Sequence, residues 1–220
     1  MPHKLTINLM QKAVYPNMKR QCLEVGNSLG HDLSVKHGAT VVKRMPKLVN
    51  VLGPCVGIAI FGLNKKFIAH SAPELDYPNY ARDFLSKKID EIKMIDKCKE
   101  KDISALIYGG IAYDSNNPLS EDSCRLVDAM EEACELEGVS PAILTGQFSD
   151  GLDTRLDSYV GQNQVTIWGK LINQIKSNQN ATQVEIQKLL EEFFEYVKIP
   201  DNVEINIFEG LSKRIQNLFK

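Results

Sequence analysis

Cys55 ends the stretch Leu52-Gly53-Pro54-Cys55, and His70 stands 70 − 55 = 15 positions further on, in Phe67-Ile68-Ala69-His70-Ser71. A Gly-Pro turn delivers the cysteine to the edge of one apolar run, and a second apolar run delivers the histidine. Fifteen positions are the length of strand, turn and strand, so the two side chains can meet across neighbouring strands. A thiol beside an imidazole can ionise at neutral pH, and a thiolate is a strong nucleophile. The plainer reading is a buried cysteine in an apolar strand, because free cysteine is among the most buried residue types. His70 would then be a hydrogen-bonded core or loop histidine.

The elements that must position this pair begin at Gly38. Strand patterns are expected at 39–42, at 48–52 after Pro46, at 55–61, and at 66–70 beyond the turn Gly62-Leu63-Asn64-Lys65. The run 55–61 is too apolar to be half exposed, which predicts a central or otherwise buried strand. Pro73 and Pro78 bracket a loop. Phe84, Leu85, Ile89, Ile92 and Ile95 then recur at helical spacing, with solvated lysines between them. A buried strand at 103–108 stops at Gly109-Gly110. Ser120 is expected to cap a helix whose apolar face is Val127, Met130, Ala133, Cys134 and Leu136, closing at Gly138. A strand at 141–145 and a hairpin, 156–160 with 165–168, complete the pattern.

Past Lys170 the character changes. Ser177-Asn178-Gln179-Asn180 reads as a polar linker, and Thr182-Gln183-Val184-Glu185 fits a capping box. Ile186, Leu189, Leu190, Phe193 and Val197 share one face of the helix that should follow. Val203, Ile205 and Ile207 then alternate as in a strand. Residues 1–37, with a helix expected near 18–29, read as an N-terminal extension. Residues 38–170 read as a core, and 171–220 as a helix-strand-helix appendage. The fold class expected is mixed α/β (α+β), with strands layered against one another and helices packed on one side.

Composition narrows the function. The 220 residues are 43% hydrophobic and 25% charged, as in an ordinary globular protein, and a net charge of −2 supplies no general attraction to nucleic acid or anionic membrane. No apolar run approaches the roughly 20 residues of a membrane span, so no membrane insertion is expected. Five cysteines without CxxC spacing favour reduced thiols in a cytoplasmic compartment, with export lacking a cleaved leader as the alternative. Cys22, Cys98, Cys124 and Cys134 read as structural thiols. His31 and His37 lack the partners a metal site requires, and Asp150, Asp153 and Asp157 lack the pattern of a calcium loop. No metal is expected, and no glycine-rich loop suited to cradling phosphate is present.

Taken in order, the core resembles the chemoreceptor glutamine deamidase family, CheD. Leu48-Val49-Asn50-Val51-Leu52-Gly53-Pro54-Cys55-Val56-Gly57 is similar to that family's nucleophile segment. Ala69-His70 followed by Pro73 resembles the segment supplying its base. Tyr80-Ala81-Arg82-Asp83 resembles its Tyr-Ala-Asp helix, and Gly109-Gly110 its paired glycines. Arg155 with Val165-Thr166-Ile167-Trp168 looks like its closing hairpin. Two departures stand out. The family's third catalytic residue is a threonine six positions before the cysteine, where this chain has Val49. Asn50 or Ser71 is the replacement expected, since either can orient an imidazole. The segment Asn116-Asn117-Pro118-Leu119-Ser120 also differs from the family's, and 171–220 has no counterpart in its compact members.

The resemblance implies a cysteine amidohydrolase that needs no cofactor. Cys55 and His70 would be catalytic, oriented by Asn50 or Ser71. Gly109 and Gly110 either admit a substrate amide closely or merely end a strand. The substrate implied is a glutamine-bearing protein, a chemoreceptor or a foreign target, with no nucleic acid involved. A regulatory partner or a second copy would dock through 171–220. Transamidation, terminal-asparagine deamidation as in the distantly related N-terminal asparagine amidohydrolases, and a non-catalytic binding descendant remain as alternatives.

Overall fold

The apolar runs around Cys55 form one sheet. In the computed structural model, which describes residues 4–10, 47–52, 54–73, 78–111, 113–145, 156–160, 164–168 and 198–207, β1 is Leu5–Met10, β2 Lys47–Leu52, β3 Val56–Phe61 and β4 Lys66–Ser71. Helix α1, Pro78–Asp96, leads through a 3-10 turn at Glu100–Asp102 to β5, Ser104–Gly109. Helix α2 is Pro118–Leu136. Four strands follow: β6 Pro141–Thr145, β7 Leu156–Val160, β8 Gln164–Trp168 and β9 Val203–Ile207. The elements expected at 18–29, 39–42 and after Thr182 lie outside the described residues.

Four strands make the sheet that carries Cys55, in the order β4-β3-β5-β6. β3 is antiparallel to both neighbours, and β5 runs parallel to β6 across the α2 crossover. Every residue of β3, β5 and β6 is buried, as their unbroken apolar runs require of strands covered on both faces. One face presents Val56, Ile58, Phe67, Ala69 and Ile107 to a core shared with Leu85 and Ile89 of α1 and Leu126 and Met130 of α2. Both helices therefore pack on the same side. Ala59, Ile68, Leu106, Tyr108 and Leu144 alternate with those residues and are buried on the other side. The mixed α/β class expected from the sequence is the one observed.

Other strands form a second, five-stranded sheet in the order β2-β7-β8-β1-β9. The hairpin β7-β8 is antiparallel, while β1 lies parallel to β8 on one side and to β9 on the other. This sheet takes strands from all three segments of the expected division, so hydrogen bonding crosses both boundaries, at 37 and at 170. Further links join the C-terminal residues to the first sheet. Lys198 exchanges both backbone hydrogen bonds with Ile143 of β6, its ammonium pairs with Glu131 of α2, and the Asn202 side chain reaches the Ser104 hydroxyl at 3.2 Å.

Several local expectations need correction. Ser120 does not cap α2. Asn117 does, its side chain accepting the Leu119 N–H at 3.1 Å, because Pro118 occupies the first helical position, where its missing N–H costs nothing. Ser120 sits inside the first turn instead, and its hydroxyl donates to the Asn117 carbonyl at 2.6 Å. Pro78 opens α1, where its missing N–H likewise costs nothing. Ile95 and Leu136, assigned to apolar faces, are exposed, in the last turn of their helices. The β3-β4 turn is anchored to the end of α1, where the Asp96 carboxylate accepts the Asn64 and Lys65 amides at 2.8 and 2.9 Å.

Candidate active site at the ends of three strands

β3 begins just after Cys55, β4 ends at Ser71, and β5 ends at Gly109, so three strand ends meet at one edge of the four-stranded sheet. Cys55 lies outside the strand proper and is half-buried. Pro54 has no N–H to continue a ladder, so the chain breaks out of β2 here and enters the other sheet. The Cys55 carbonyl is held from the far side, accepting the Gly110 N–H at 2.8 Å.

Register decides which candidates share a face. His70 stands opposite Gly57, and Ser71 opposite Val56. Residues alternate along a strand, so positions 57 and 70 belong to the face turned away from the helices. Cys55 immediately precedes β3, at the same end of the sheet as position 70. Ser71 is fully buried and follows the alternation of Phe67 and Ala69, on the helix-packed face. Positions 55, 70 and 71 thus share one end of the four-stranded sheet, with Ser71 on its helix-packed side.

Asn50 is in β2, which pairs with β7 of the second sheet. Val49 faces Ser158 and Leu52 faces Leu156, so Asn50 and Val51 together oppose the single residue Asp157. That is a bulge, a device that re-aims one residue out of a regular strand and is common beside active sites.

Gly109 and Gly110 both have left-handed backbones, with φ of 85° and 73°. A Cβ on Gly110 would lie 2.8 Å from the Ser123 hydroxyl oxygen and 3.5 Å from Val56. Its missing side chain therefore makes room for α2, not for an incoming substrate. Ser123 was not singled out in the sequence. The available signal was position, because Ser123 precedes Leu126, Val127 and Met130 at spacings of three, four and seven, on the face α2 buries.

The other described cysteines are poor nucleophiles. Burial, reinforced by Glu131 and Glu135, pushes the Cys134 thiol up to about 12. Burial also raises Cys98, with Asp96 and Asp102 adding to it, and Cys124, with Asp128 adding to it. Cys134 also marks an alkaline weakness. Its folded pKa exceeds its ordinary value of 9.0, so its stabilising contribution is whole below that pH and is lost as pH rises towards about 12. The expected slope from this thiol is up to roughly 1.4 kcal/mol per pH unit. Urea unfolding at pH 8.5 and 10.5 should show a smaller loss in Cys134→Ala than in wild type, and equal losses would show that Cys134 stays clear of this transition.

Among the described residues, no group of three or more His, Cys, Asp or Glu is placed to hold a metal ion, and no helix is long and apolar enough to cross a membrane. No family profile and no curated protein matches the chain. Among solved structures, it is similar to the crystal structure of Bacillus licheniformis hypothetical protein YfiH. That match has a TM-score of 0.36 and 14% identity, and covers 53% of this chain and 57% of that one. So distant a likeness says nothing about activity.

Proposed function

We propose that the chain is a cysteine amidohydrolase of the Cys-His type, acting as a glutamine deamidase on a protein side chain. The observation that carries this reading is the register of β3 on β4. It sets position 70 opposite Gly57, two residues beyond the half-buried Cys55, at the same end of the sheet. In the reaction, His70 takes the Cys55 proton and the thiolate attacks the carboxamide carbon. The oxyanion is held by backbone N–H groups around Cys55. The Gly110 N–H is already engaged by the Cys55 carbonyl and is not one of them. Imidazolium then protonates the departing ammonia. Water, deprotonated by His70, cleaves the thioester and leaves a glutamate side chain, so the target gains a negative charge. No cofactor enters these steps.

Asn50 is the proposed orienter of His70. The bulge at Asn50-Val51 supports it, and the helix-side position of Ser71 counts against the alternative. The test is the pH profile of Cys55 alkylation by iodoacetamide. Wild type should show a neutral-pH limb belonging to the Cys-His couple rather than to either residue. His70→Ala should abolish it. Asn50→Ala should weaken turnover by roughly tenfold or more, as loss of an orienting partner does, while Ser71→Ala leaves it near wild type. An unchanged profile in His70→Ala would rule out the pairing.

A further inference from the structure

Ser123 is fully buried in the second turn of α2, and its oxygen accepts the Ile111 N–H at 3.2 Å. One residue earlier, the Gly110 N–H donates to the Cys55 carbonyl at 2.8 Å. The space where a Gly110 side chain would stand is closed by the same Ser123 oxygen. The Cys124 thiol adds a contact to the Ile111 carbonyl at 3.9 Å. A short chain of contacts thus runs from the helix, through two backbone amides, to the backbone of Cys55. We propose that Ser123 is a positioning residue for Cys55, fixing through Ile111 and Gly110 where the thiol stands. This rests on the reading of Cys55 as the nucleophile.

The physical need is plain. Cys55 lies outside the strand ladder and follows a proline. Gly109 and Gly110 occupy the left-handed region, one of several that glycine enters with equal ease. A backbone so permissive holds one conformation only if something pins it, and the Ser123 oxygen accepts the Ile111 N–H and fills the space where a Gly110 side chain would stand. Displacing a reacting group by about 1 Å can cost on the order of a hundredfold in rate.

The test reads two quantities, amide hydrogen exchange at Gly110 and alkylation of Cys55. Ser123→Ala removes one oxygen and introduces no clash. It should speed Gly110 exchange by about tenfold relative to the amides of α1, a local opening rather than a global one. It should also slow Cys55 alkylation at neutral pH by roughly tenfold, with Cys98 unaffected. Gly110→Ala should slow Cys55 alkylation as well, by straining a left-handed backbone and by driving a Cβ against the Ser123 oxygen. Combined with Ser123→Ala, its effect should be less than additive, because the clash is relieved while the backbone strain stays. Unchanged Gly110 exchange in Ser123→Ala, equal changes at Cys55 and Cys98, or additive losses in the double variant would each overturn the proposal. A wild-type Cys55 no faster than Cys98 would instead sink the nucleophile reading, and Gly110 exchange would still report on the hold itself.

Discussion

Cys55→Ala should abolish ammonia release from a glutamine-bearing protein such as denatured casein, with a fall on the order of 10⁴-fold or more, the scale set by removing a nucleophile that acts as a unit with its base. No other described cysteine can take over. Cys134 is buried and its thiol is pushed up to about 12, while Cys98 and Cys124 are also raised. The variant should nevertheless fold. Cys55 is half-buried at a strand end, and the Gly110 bond to its carbonyl is a backbone bond that alanine keeps. A stability change of about 1 kcal/mol or less is expected. Full ammonia release by Cys55→Ala would remove the assignment. Cooperative unfolding lost in the same variant would identify Cys55 as a packing residue.

Deleting everything after Lys170 should have the largest effect on stability. Targeting alone would let a shortened protein stay folded, but the strand pairing argues otherwise. β9 pairs along its whole length with β1, from Leu5↔Val203 to Leu9↔Ile207. Its loss turns β1 from an inner strand into a bare edge, the kind that pairs with other chains. The deletion also removes Lys198 from the edge of β6 and Asn202 from Ser104. The loss should exceed about 5 kcal/mol, a large part of a domain's total stability. Thermal unfolding and size-exclusion chromatography should show aggregation or no cooperative transition. A monomeric fragment with the wild-type midpoint and wild-type Cys55 alkylation would show that 171–220 is dispensable to the fold and would restore it to partner choice.

The four-stranded sheet was legible because β3, β5 and β6 are buried on both faces and a short turn joins β3 to β4. The apolar runs at Val56, Ser104 and Pro141 announce themselves one by one. The helices followed from the spacing of Leu85, Ile89 and Ile92 and of Val127 and Met130, and went astray only at their ends. β1 was missed although Leu5, Ile7 and Leu9 alternate, because six residues of alternation carry little weight until their partners are known. Those partners, β8 and β9, lie far along the chain, and no local pattern names them.

The site divides the same way. The pairing of β3 with β4, which brings Cys55 and His70 to one end of the sheet, could be read from strand length and turn. Placing Ser71 on the helix-packed face needed the register, since a slip of one residue exchanges the faces. The bulge at Asn50 needed the pairing with β7, and Ser123 needed the helix to be seated on the sheet.

The placement of β1 has a consequence for biosynthesis. Its pairing with β9 joins Leu5 to Val203, residues 203 − 5 = 198 apart, whereas β3 through β6 lie within Val56–Thr145. As the chain leaves the ribosome, the helix-backed sheet can assemble from neighbours already synthesised. β1, made earlier than all of them, waits with one flank unpaired until almost two hundred further residues have been added. Loop closure over that length adds only a logarithmic entropy cost, so the delay is set by translation more than by thermodynamics. Throughout that interval β1, the earliest made of the described strands, is open to pairing with another nascent chain. Slowing translation between β8 and β9 would lengthen that exposure, whereas a chaperone that covers β1 would shorten it.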